Sequence, residues 1–278
     1  MGDSGVSTGP GDADARDGSA GAAGPGSEAG TVGAFRADVP DASTGTGADV
    51  GSSPAGLPVG GDGIFVGSDA EGQQLSLGVH RPAPYDVLLI GGLWTAQVLA
   101  LRTARAGAGV RVAVETARAP AWAGVAQAGS TADARWGGGG GTGRVELFEV
   151  GRVPVLGAVE GRPVLVVRDC GMRPPRGRVR PAPWQTVVTL LPYLSPVAPR
   201  LIRESALVGV QQVSPEEAAR LGRLLGLSAE ETGALPGLDD GVTLWCAGRD
   251  RQWAATAPVG DEEALLGPPR RMEPATRP

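Results

Sequence analysis

Residues 88–99 read LLIGGLWTAQVL. An apolar run stops at Gly91-Gly92 and a helical pattern starts at once, with Trp94, Val98, Leu101 and Arg105 at helical spacing. A strand that turns on glycine into a helix is the start of a crossover unit, in which the helix returns over the sheet toward a parallel strand. It is also the arrangement in which a backbone turn and a helix N-terminus can cradle a phosphate. The sequence must therefore be asked whether this turn carries the chemistry or only the shape.

The pattern around the turn supports an alternating architecture. GIFVG (63–67) and LSLGVH (75–80) read as a strand pair around a polar turn, and DVLLI (86–90) as a buried strand. The helix after Gly92 ends at Ala106-Gly107, and VRVAVET (110–116) is the next strand. A short helix follows Pro120 over 121–129. RVELFEV (144–150) and PVLVVRD (163–169) are strands, and an Arg- and Pro-rich loop lies between Gly171 and Pro183. WQTVVTLLPYL (184–194) reads as a helix, ended or kinked by Pro192. SALVGVQQV (205–213) is a strand. The next helix, 214–226, has Ser214 as N-cap, Pro215 at its first position and Glu217 completing a capping box. VTLWCAG (242–248) and QWAATAP (252–258) form a C-terminal hairpin. The order predicts an α/β fold: an open, mostly parallel, doubly wound sheet of Rossmann-like or P-loop-like type.

Composition bounds the folded part. Residues 1–58 hold 14 glycines, one aromatic (Phe35) and eight acids against Arg16 and Arg36, a net charge of −6. Such a segment cannot bury enough apolar surface to offset its ordering entropy, so it is expected to be a disordered acidic tail. The α/β domain is expected over 59–268, with a flexible glycine-rich insert at 130–143 and a disordered C-terminus at 269–278. The whole chain carries −5, which leaves about +1 for the domain. A near-neutral body gives no electrostatic case for nucleic acid. No signal peptide, no 18-residue apolar run and no myristoylation site (position 6 is Val) can be read. A cytoplasmic protein without direct membrane insertion is expected. Cys170 and Cys246, far apart in sequence, are expected to be buried reduced thiols.

The motifs are poor in chemistry. Every one of the 25 basic residues is arginine, which removes Schiff-base chemistry and the phosphate-binding lysine of a P-loop. Set against G-x-x-x-x-G-K-[ST] from Gly91, the last three positions are Ala96, Gln97 and Val98; from Gly92 they are Gln97, Val98 and Leu99. G-x-G-x-x-G fails at Leu93 and Ala96. Asp169 ends a strand, but Cys170 stands where a catalytic glutamate would be wanted. Asp169 is either a metal ligand or a solvated strand-end or capping residue. His80 is the sole histidine, so neither a serine triad nor a zinc site can be assembled convincingly. Asp239-Asp240-Gly241 reads as a turn and Asp261-Glu262-Glu263 as a first helical turn. Five tryptophans (94, 122, 184, 245, 253) are expected in the core; Trp136, flanked by glycines in the insert, is a candidate contact residue.

The stretch 80–122, then RPVLVVRD (162–169), PWQTVVTLL (183–191) and ESALVGVQQVSPEEAARLGRLLGL (204–227), resembles cytosolic domains associated with actinobacterial type VII secretion. The EccE type is one such family; a degenerate FtsK/EccC-like P-loop domain is similar in order. The resemblance covers 59–268 and implies protein partners in a secretion apparatus. It departs from the EccE type in having an acidic tail where membrane helices are usual. The expectation is a non-catalytic interaction or adaptor domain with no catalytic residue, no cofactor and no metal. The alternative is a nucleotide or nucleotide-sugar binding protein or enzyme that uses the Gly91-Gly92 turn. Candidate ligand-binding residues are Gly91, Gly92, Gln97 and Asp169, with Trp136 as a contact.

Overall fold

The computed structural model describes residues 63–79, 81–106, 109–131, 144–173, 175 and 177–271. The acidic tail, His80, Trp136, most of the glycine-rich insert and residues 272–278 lie outside the described residues.

Ten strands form one sheet. They are β1 (Ile64–Ser68), β2 (Gln74–Leu77), β3 (Tyr85–Ile90), β4 (Arg111–Thr116), β5 (Arg144–Phe148), β6 (Val164–Asp169), β7 (Gln185–Leu191), β8 (Leu207–Val210), β9 (Val242–Ala247) and β10 (Asp250–Ala255). The order across the sheet is β2-β1-β10-β9-β8-β3-β7-β6-β4-β5. From β8 to β5 all neighbours are parallel; from β8 to β2 all are antiparallel. The fold is an α/β, open, mostly parallel sheet, wound on both faces, and the C-terminal hairpin β9–β10 extends it.

The central strands are apolar on both sides, as a sheet covered on two faces requires. Val87 and Leu89 of β3 join one core with Leu165 and Val167 of β6 and Val188 and Leu190 of β7. This face is covered by α1 (Leu93–Arg105) and α2 (Ala119–Thr131), which bring Trp94, Leu101 and Trp122. Leu88 and Ile90 face the other way, into a second core under α3 (Ala198–Glu204) and α4 (Pro215–Leu225). Helices α5 (Ala229–Ala234) and α6 (Glu262–Leu266) complete the described set. The capping box of α4 forms as expected, and Gly226 closes the helix at φ +65°, a conformation that suits glycine.

Four expectations are corrected. Residues 185–191 are strand β7, not a helix. All seven are buried, so the run shows no alternation, and β-branched Thr186, Val187, Val188 and Thr189 favour the extended chain. Residues 269–271, assigned to a disordered C-terminus, are described, and Arg271 is buried. Asp169, read as a metal ligand or else as a solvated strand-end or capping residue, accepts from the Gly171 N–H just after its strand but is completely buried, not solvated. Trp184 and Trp253 are only half-buried, whereas Trp94, Trp122 and Trp245 lie in the core. Trp184 is the one described non-glycine residue with a positive φ, +59°, a strain of the order of 1–3 kcal/mol.

Candidate functional site

Ligands in open parallel sheets bind beyond the carboxyl ends of strands, where successive connections leave on opposite faces. That point is the end of β3. The chain leaves β3 into α1 on one face, while the neighbouring strands β7 and β8 lead into α3 and α4 on the other. Gly91 and Gly92 form this turn, so the structure places the candidate glycines where a phosphate cradle would sit.

The turn is full. Gly92 is the N-cap of α1, with φ −80° and ψ 156°, an extended conformation open to any residue. Glycine is required there by crowding, not by φ. A Cβ on Gly91 would strike the Oε1 of Gln211, and one on Gly92 would lie 2.7 Å from the carbonyl oxygens of both Arg270 and Arg271. The Gly92 N–H, the first donor a phosphate would seek, instead donates to Gln211 Oε1 at 2.6 Å. Gln211 Nε2 donates to Thr95 Oγ1 (2.7 Å) and Thr243 Oγ1 (3.2 Å), which holds its amide in one orientation. Leu93 and Trp94 are buried, as packing at this turn requires.

A C-terminal strap closes the crevice from outside. The Trp94 indole N–H donates to the Gly267 carbonyl at 3.0 Å. Arg102 grips Glu262 with two hydrogen bonds of 2.9 and 2.7 Å, both side chains buried. Arg271 donates from its backbone to Asp240 (2.7 Å), from Nε to the Gln212 carbonyl (2.8 Å), and from its terminal nitrogen to the Pro192 carbonyl (2.7 Å). Gln212 and Pro192 follow β8 and β7, so this guanidinium plugs the gap between the two strand ends. Burial lowers its pKa from the ordinary arginine value, with Glu217 and Asp240 opposing.

Gln97 and Asp169 do not converge on the turn. Gln97 Nε2 donates to Ala121 O at 2.6 Å and ties α1 to α2; its Oε1 is buried without a hydrogen-bond partner. Asp169 accepts from Trp122 Nε1 (2.8 Å), from Arg118 Nη2 and Nε (2.7 and 3.2 Å), from Thr116 Oγ1 (3.2 Å) and from the Gly171 N–H (3.2 Å). Five donors occupy its two oxygens, the arrangement of a structural hub rather than of an open metal ligand. Among the described residues no group of three or more His, Cys, Asp or Glu side chains could hold a metal. Sequence reasoning missed Gln211, Arg271 and the strap. A polar side chain directly after a buried strand was the available signal for Gln211.

No family model matches this chain, and no curated protein is similar to it. Among solved structures, VirB4 of Thermoanaerobacter pseudethanolicus is 11% identical over 75% of this chain and 100% of that chain, with a TM-score of 0.47. No helix among the described residues is long and apolar enough to cross a membrane.

Proposed function

We propose that the chain is a non-catalytic interaction domain built on a nucleotide-type fold. One observation carries this reading: the N–H of Gly92, the N-cap of α1, is already bonded to Gln211, and the carbonyls of Arg270 and Arg271 crowd the same residue. A phosphate there would meet carbonyl oxygens instead of free donors, with no lysine to offset them. The resemblance to type VII secretion domains supports an adaptor role beside such an apparatus, in the cytoplasm and with protein partners. Calorimetric titration with Mg·ATP tests the reading. We expect an affinity no better than about millimolar, near −4 kcal/mol. Micromolar binding, or Mg²⁺-dependent hydrolysis, would overturn it in favour of nucleotide or nucleotide-sugar chemistry at the glycine turn.

A further inference from the structure

The face of the sheet opposite α1 and α2 is covered unevenly. Over β3 and β8 it carries α3 and α4. Over β4, β6 and β7 it carries no helix among the described residues. The described parts of the connections from β5 to β6 and from β6 to β7 cross there as coil and turns, the second held at its end by Trp184, whose N–H donates to Arg81 O at 3.0 Å. Parallel strands are usually joined by a helix that shields this surface. Here Val153, Ala158 and Val179 supply a thin third core over Val164, Val166 and Val187.

Two cavities result, of about 220 and 480 Å³. Both are bordered by the segment 177–181 and share Arg168. One lies between that segment and α3, the other between it and residues 151–158. The rim is apolar and basic together. Val155, which lines the larger cavity, is 83% exposed, the most exposed large hydrophobic residue described. Arg178, Arg180 and Arg200 line the cavities and are exposed, Arg200 paired with Glu204 at 2.9 Å, and residues 171–184 contain no acid. Among the described residues no carboxylate lies within ion-pair distance of Arg173 or Arg180, and Arg178 reaches Glu204 only at 3.8 Å.

We propose that this coil-covered face, with Arg178 and Arg180 at its centre, is a docking surface for an extended acidic peptide segment of a protein partner. The proposal rests on the interaction-domain reading and names its surface. Charge complementarity selects the occupant, and the exposed Val155 adds apolar area at the rim. A nucleic acid fits less well. Asp86 and Glu204 line the smaller cavity beside Arg168, Arg178 and Arg200. A phosphodiester chain carries a charge at every residue and would meet those carboxylates. A peptide can space its acids onto the arginines alone.

Fluorescence anisotropy tests this with the full chain and a labelled (Glu-Ala-Pro)4 peptide. We expect saturable binding that weakens at least tenfold in the R178E/R180E variant. It should be unchanged in R220E/R249E, a matched charge change at exposed arginines that line neither cavity. A single-stranded DNA 12-mer should bind at least tenfold more weakly than the peptide. No saturable peptide binding, equal loss in both variants, or DNA binding as tight as peptide each overturns the proposal. None of these outcomes bears on Mg·ATP, so failure here is distinguishable from failure of the non-catalytic reading.

Discussion

The carboxyl end of β3 and the coil-covered face over β4, β6 and β7 belong to one sheet but treat their polar groups in opposite ways. At the end of β3 the two glycine N–H groups are answered from within: Gly91 donates to the Leu191 carbonyl, Gln211 takes the Gly92 N–H, and Arg271 spans the carbonyls of Pro192 and Gln212. On the coil-covered face the deep pair is satisfied, Arg168 donating to Glu115 at 2.6 Å, yet the arginines above it project outward. The difference teaches that the place where open parallel sheets bind ligands is not the place this sheet leaves open. Buried polar groups must find partners or cost free energy, so a crevice without its ligand becomes filled by chain. Exposed arginines carry no such cost and remain available.

The comparison breaks most visibly at the hubs. Asp169→Ala takes the shared acceptor from the buried Trp122 N–H, the Thr116 hydroxyl and the partly exposed Arg118 guanidinium, and should cost about 3 kcal/mol in urea denaturation. A loss under 1 kcal/mol would show that the buried network is slack. Gly92→Val drives a side chain against two carbonyl oxygens and should cost about 1–3 kcal/mol or more through displacement of the strap. A neutral result would mean that the crevice opens easily, which weakens the case for a closed end. Arg271→Ala removes charged hydrogen bonds to two carbonyls and should cost about 1.5–3 kcal/mol, without creating Mg·ATP affinity; calorimetry on the variant checks both. A smaller effect is set by pH. Burial, with Glu115 adding, pushes the Cys170 thiol up to about 11. Burial, with Glu231 adding and Arg251 opposing, raises Cys246 to about 11. The folded state therefore holds these protons after the unfolded chain releases them. Stability should be intact below pH 9 and should fall between 9 and 11, and both double Cys→Ala and single variants should flatten that slope. Smallest of all, Arg180→Glu on the open face should shift stability by no more than about 0.5 kcal/mol; a larger loss would place Arg180 in a structural contact.

How much of this was legible depended on how local each determinant is. The strand–turn–helix at 86–105 could be read because its periods lie within one stretch of chain. The capping box at Ser214 and Glu217 could be read for the same reason. Strand β7 could not, because a strand buried on both faces loses the period of two and leaves only a continuous apolar run. Asp169 was found but misjudged: its partners Trp122 and Arg118 lie on another segment, and nothing near it in sequence announces burial. Gln97 was noticed for the lysine it replaces, whereas its bond is to Ala121 on α2. The closing of the glycine turn was invisible, since Gln211 and Arg270-Arg271 arrive from the far end of the chain. The Arg- and Pro-rich loop was seen as composition only; its value as a surface depends on the missing helix beneath it.

The strand order also bears on how the molecule is made. Val87 at the centre of the sheet pairs with Val188 and Leu207, and Ser68 near the start pairs with Ala255 near the end. During synthesis β3 emerges long before either neighbour, so its apolar sides stay unpaired while more than half of the domain is still being made. Non-local parallel pairing is slow because loop closure precedes its reward. The first hairpin cannot join the sheet until β10 has left the ribosome. The early strands of the domain therefore wait unpaired during synthesis, and its yield in cells should track translation speed more closely than its final stability.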